Sequence, residues 1–187
     1  MAIKKTTKEE ILKQSVKLFK FQGYYNTSMA DIASACGILK GSLYHHFKSK
    51  DNVGLASLRF MHSYFVDEVY AIAYKDELPV CERVEQYIQK IDDYFLQSEG
   101  GCIFGNFALE LPKEREAFRE IIRADFDAWV ESLAYMLQSK YPQEEALNMA
   151  KEYVALTQGA IMMMNLNNSA DAYLQVGQKI IKLIQGK

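Results

Sequence analysis

The chain has 187 residues, enough for one domain or for a small domain joined to a larger one. With 49% hydrophobic and 25% charged residues, and only 10 Gly and 3 Pro, it is neither disordered nor loop-rich, and it can bury a core. The net charge of −2 hides an asymmetry: residues 1–54 hold nine Lys against four carboxylates, a net +5, and the remainder carries −7.

Helical periodicity runs through the chain and no alternating strand pattern of useful length occurs. The first residues, Met-Ala-Ile-Lys-Lys-Thr-Thr-Lys, lack the apolar run of a signal peptide. Thr7 followed by Glu10 resembles a capping box and starts a helix near residue 8. Ile11/Leu12, Ser15/Val16 and Leu18/Phe19 form its stripe, which Gly23 stops. Thr27 or Ser28 caps a second helix with Asp31 in its first turn and Ile32, Ala33 and Cys36 inward; Gly37 suits the left-handed residue after its end. A third helix is expected from about Leu39 to His46, with Leu43 and Phe47 inward.

Ser49 caps a long fourth helix whose inward positions are Leu58, Met61, Phe65, Val69 and Ile72. Pro79 opens a fifth, carrying Val84, Ile88, Ile91 and Phe95. A glycine break at Gly100-Gly101 precedes a short helix ended by Pro112. Phe118, Ile122, Phe126, Trp129, Leu133 and Met136 mark a long amphipathic helix. Pro142 starts another, through Leu147, Val154 and Ile161 to about Met164, and Asn168 or Ser169 caps the last, with Tyr173, Gly177, Ile180 and Ile184 inward. The expected fold is all-α with about nine helices: an N-terminal three-helix domain containing a helix-turn-helix, then a C-terminal helical bundle, assembled as a two-fold dimer. The longest apolar stretch, Ala160 to Met164, is too short to span a bilayer, so no membrane partner is expected.

The segment from Thr27 to Lys50 carries the most functional information. Ala33 is small where two helices must cross, Gly37 follows four residues later at the turn, and the next helix is crowded with Lys, Ser, Tyr and His. That is the arrangement of a helix-turn-helix whose second helix enters the major groove. Its exposed face offers Lys40, Ser42, Tyr44, His45 and His46, and Gly41 lets the backbone approach DNA closely. Thr27 and Ser28 stand at a helix start, where hydroxyls and free N–H groups suit a phosphate, and Lys50 repeats the arrangement one helix later. The basic head then meets a polyanion, although a chance scatter of lysines is the alternative on charge alone. His45 and His46 make a poor metal pair: neighbours on a helix diverge by about 100° and no local Cys or carboxylate joins them.

Residues 8–50, above all Gly23-Tyr24, Thr27 through Ala33 and Gly37 through Lys50, resemble the DNA-binding domain of the TetR family of bacterial transcriptional regulators. The resemblance implies DNA contacts, mostly to phosphates, from Thr27, Lys40, Gly41, Ser42, Tyr44, His46 and Lys50. Leu39 departs from the pattern, standing where the family usually has a capping Ser or Thr. The resemblance further implies a DNA-binding domain at 1–48, a ligand-binding and dimerisation domain at 49–187, and a dimer interface from the last two helices. Ala155, Gly159 and Gly177 permit close helix packing across such a homodimer through residues 143–185, or equally within one chain.

The aromatic load, 12 Tyr, 10 Phe and Trp129, points to a pocket for a mainly apolar small-molecule effector. His62, Phe65, Cys102, Phe104, Asn106, Phe126, Trp129 and Met163 are its candidate lining, each also readable as plain core. Cys102 is either a thiolate sensor or an inert buried thiol. Cys36, Cys81 and Cys102 form no C-x-x-C pair, which argues against zinc and disulfides and fits a reducing cytoplasm. No nucleophile–base pair, phosphate loop or metal cluster is recognisable, so neither an enzyme nor a cofactor is expected. The reading is a ligand-responsive transcriptional regulator, a repressor on a palindromic double-stranded DNA operator. The alternative is a ligand-blind DNA-binding regulator whose C-terminal domain docks a protein.

Overall fold

The computed structural model describes residues 6–97 and 99–186, so the expectation of no leader rests partly on positions outside them. Among the described residues the fold is all-α: nine helices, one 3₁₀ turn and no strand. The helices are α1 Lys8–Gln22, α2 Met29–Ala35, α3 Lys40–His46, α4 Lys50–Glu68, α5 Val80–Leu96, α6 Ile103–Glu110, α7 Glu116–Leu137, α8 Gln143–Asn167 and α9 Asp171–Gln185, with the 3₁₀ turn at Tyr70–Tyr74. Packing divides the chain into two compact units, residues 1–62 with 103–122 and residues 63–102 with 123–187.

In the first unit the local signals act as their chemistry requires. Thr7 caps α1 by accepting the Glu10 N–H, and Gly23 ends the helix at φ 81°. Ser28 and Asp31 close a reciprocal capping box on α2, and Gly37 follows it at φ 65°. Ser49 accepts the Asn52 N–H at the start of α4. Ile11, Phe19, Ile32, Ala33, Cys36, Leu43 and Phe47 form the core beneath these helices. α6 belongs to this unit too: Phe107 meets Phe19 edge-on with centroids 5.3 Å apart, and Asn106 donates to the Lys20 carbonyl at 3.2 Å.

The second unit is organised by rings. Phe65 stacks on Tyr70 and Phe95, Trp129 stacks on Tyr70 and Phe95, and Phe95 meets Tyr173 edge-on. Tyr87 and Ser132 share a buried 2.8 Å hydrogen bond between α5 and α7. A Cβ on Gly177 would lie 2.9 Å from Ile88 Cγ2, so this glycine lets α9 approach α5 within the chain.

Several boundaries differ from the sequence expectations. α4 stops at Glu68, yet Val69 and Ile72 stay buried because the following turn is 3₁₀, whose three-residue period keeps them on one side. Leu39 precedes α3 as its N-cap residue, without a side-chain cap. On α8 the inward line runs through Ala146 and Ala150, leaving Leu147 half-buried, and the helix continues to Asn167, closed by Asn168 at φ 50°. Ser169 Oγ accepts the Asp171 N–H at 3.3 Å at the start of α9.

Candidate nucleic-acid interface

The second helix of the helix-turn-helix is short, seven residues, and it holds to its unit by Leu43 and Phe47, one turn apart and both buried. With those two inward, Lys40, Gly41, Ser42, Tyr44, His45 and His46 all remain exposed. The structure therefore brings six of the nine sequence-nominated DNA residues together on one solvent-facing helix. A Cβ added at Gly41 would meet nothing within 4 Å, so nothing inside the chain requires glycine there.

The other three nominated residues are engaged within the unit. Thr27 is 1% exposed and its hydroxyl donates to the Gly23 carbonyl at 2.7 Å. Ser28 is exposed, but its hydroxyl serves the α2 capping box. Lys50 Nζ donates to the carbonyls of Tyr24 and Tyr25 at 2.9 and 3.3 Å and lies 4.5 Å from the centre of the Tyr24 ring. It ties the start of α4 to the turn between α1 and α2.

That turn is fixed by a further set of groups that local sequence reasoning missed. Glu110 Oε2, at the end of α6, accepts the Tyr24 and Tyr25 N–H groups at 2.8 and 3.2 Å. A Cβ at Gly23 would lie 2.5 Å from Glu110 Oε1, and the φ of 81° there already favours glycine. Arg115 forks onto both Asp51 carboxylate oxygens at 2.5 and 3.1 Å, and the Tyr24 hydroxyl donates to Asp51 as well. The Arg115 fork, and then the Tyr24 hydroxyl, hold the Asp51 carboxyl below the usual carboxylate range. Burial, followed by the Asp51 hydrogen bond, pushes the Tyr24 phenol well above its ordinary value. These partners stand 64 and 86 positions apart in sequence, so no local pattern joins them.

The eight candidate effector residues fall in both units. In the first, His62 is half-buried, Phe104 is buried and Asn106 ties α6 to α1. In the second, Phe65 and Trp129 belong to the ring cluster, and half-buried Phe126 stacks on Trp129 with planes 9° apart. Cys102 is buried near Tyr94, whose phenol is pushed up first by burial and then by Cys102; burial and then Asp125 do the same to Tyr70. Met163 is exposed on α8. A residue not nominated stands among the rings: Asp125, 2% exposed, accepts the Tyr70 hydroxyl at 3.3 Å. Its spacing, three after Ile122 and four before Trp129, put this carboxylate on the apolar stripe. A cavity of about 10 Å³ beside Trp129, Tyr87 and Asp92 is at the lower limit for one water.

No helix among the described residues is long and apolar enough to cross a membrane. Residues 11–56 match the family described as bacterial regulatory proteins, tetR family. Residues 80–179 match the C-terminal domain of LmrA/YxaF-like transcriptional regulators. The uncharacterised HTH-type regulator YxaF of Bacillus subtilis is 24% identical over 185 residues, covering 97% of this chain and 96% of its own. The transcriptional repressor DhaR of Mycobacterium sp. strain GP1 is 23% identical over 170 residues, covering 88% and 85%. A crystal structure of a TetR regulator from Legionella pneumophila superposes with a TM-score of 0.83 at 25% identity, over 96% of this chain and 97% of that one. With a helix-turn-helix of this kind in front and an LmrA/YxaF-like match over more than half its length, the chain belongs to the TetR family of bacterial transcriptional regulators, and is not an enzyme.

Proposed function

We propose that this regulator is a cytoplasmic repressor that binds a palindromic operator as a homodimer and is released when a small, mainly apolar molecule occupies its C-terminal domain. The observation that carries the reading is the face of α3. Leu43 and Phe47 alone are buried, and Lys40, Ser42, Tyr44, His45 and His46 are left to solvent around a glycine that nothing in the chain requires. In this reading residues 1–48 bind DNA and residues 49–187 bind effector and partner. Lys40, Ser42, Tyr44 and the two histidines make the direct contacts. Thr27 and Lys50 set the geometry of the turn beside the phosphates, and Ser28 presents the N-terminus of α2.

The homodimer is assigned to residues 143–185. Ala155, Leu156, Gly159, Met162, Met163 and Leu166 recur at three- and four-residue spacing on α8, all exposed in the single chain. A Cβ at Gly159 would meet nothing within 4 Å, so its smallness is available to a partner. For the effector, the interior of the second unit offers Phe65, Cys102, Phe126 and Trp129, an apolar lining with a few polar groups. Effector binding favours a conformer with unmatched spacing between the two recognition helices; a shift of a few kcal/mol lowers operator affinity by orders of magnitude.

Fluorescence anisotropy on duplexes flanking the gene, with and without an organic extract of the host cells, tests both halves. Saturable binding reversed by the extract is expected. Absence of binding contradicts the repressor, and binding that no extract reverses contradicts the effector.

A further inference from the structure

We propose that Leu39 is a specificity-determining residue of this DNA-binding surface, packing its side chain on the C5-methyl group of a thymine. The inference rests on the DNA-binding reading above and adds to it a base and a position. Leu39 is 80% exposed, whereas its neighbour Ile38 is half-buried and Leu43, one turn on, is fully buried. It precedes α3 at φ −70° and ψ 145°, in extended backbone, and its side chain closes no hydrogen bond onto the helix. Lys40 and Ser42, its neighbours on the exposed surface, supply the donors that a phosphate needs.

A leucine offers a phosphate neither charge nor hydrogen, so its place on a nucleic-acid surface needs another partner. In duplex DNA the thymine methyl is the apolar feature of the major groove that carries sequence information. Residues at the N-terminal end of a recognition helix are those that reach base edges. Leu39 is thus placed to read sequence, whereas a hydroxyl-bearing residue there would mainly fix register.

The test uses the full-length chain and an operator selected from random duplexes, its thymines replaced one at a time by deoxyuridine, which pairs identically but lacks the methyl. One thymine per half-site is expected to respond, its replacement weakening binding about fourfold, the cost of leaving roughly one methyl group's apolar surface unburied. Leu39→Ala is expected to weaken binding to the thymine operator by a similar factor and to show no further loss with uracil. Leu39→Met retains the thymine dependence, and unchanged melting temperatures certify the fold of both variants. Uracil that is neutral at every position overturns the proposal, as does an equal uracil penalty in wild type and Leu39→Ala, or a selected motif without thymine opposite the start of α3. A chain that selects no sequence overturns the DNA-binding reading itself, an outcome seen before any uracil is introduced.

Discussion

At Gly41 a single added methyl separates stability from the proposed DNA contact. Glycine within a helix costs about 0.5–1 kcal/mol relative to alanine, and a methyl at this position touches nothing in the chain. Gly41→Ala is therefore expected to leave the melting temperature unchanged or raise it, and to weaken operator binding because the added methyl stands between backbone and DNA; unchanged affinity would refute the close approach. Lys40 is exposed and forms no ion pair among the described residues. Lys40→Ala should leave stability alone and reduce the slope of log affinity against log salt by about 0.9. Lys50 behaves differently because it is bound to two carbonyls of the α1–α2 turn. Lys50→Ala should lower the melting temperature as well as affinity. The sequence showed both lysines as equivalent donors; only the fold reveals that one of them is already occupied.

At the scale of elements, the recognition helix depends on its neighbours. It is seven residues long, uncapped by a side chain, and too short to persist alone. The turn between α1 and α2 is in turn held by Glu110, Asp51 and Arg115, from α6, α4 and the loop before α7. Asp51 has a depressed pKa in the folded state, so its contribution is present above the ordinary carboxylate value near 4 and is lost as pH falls through the lower folded value. With side chains 43% and 35% exposed, the Asp51–Arg115 pair is screened and its share of stability is modest. Melting temperature measured from pH 5 to pH 2.5 should fall more steeply for the wild type than for Asp51→Asn; parallel curves would show that the pair does not stabilise the folded state. The helices themselves were legible from the caps at Thr7, Ser28 and Ser49, the glycines at 23 and 37, and the stripes through Leu58 and Ile88. The clasp was not, because no local periodicity announces a carboxylate that meets backbone N–H groups 86 positions away. Asp125 was legible and missed: its place on the stripe between Ile122 and Trp129 was visible, but an acidic residue is by default assigned to solvent.

For the whole molecule, the proposed function assigns two assembly surfaces: the exposed face of α3 to DNA and the exposed apolar stripe on α8 to a second copy. The two glycines that suggested close packing separate here, since Gly177 is filled by Ile88 from within the chain and Gly159 faces open space. Leu166→Glu places a charge on the exposed stripe without touching the core. It is expected to yield a folded monomer in sedimentation equilibrium and to lose operator binding at concentrations where the wild type binds; a dimer of wild-type strength would move the interface elsewhere. If two copies present α3 to one duplex, enrichment of random double-stranded oligonucleotides on the purified chain, at low salt without effector, converges on an inverted repeat. Its half-sites lie about one helical turn apart, near 34–36 Å. A pool left unenriched after repeated rounds, or one converging on a lone unsymmetrical half-site, would contradict that paired binding.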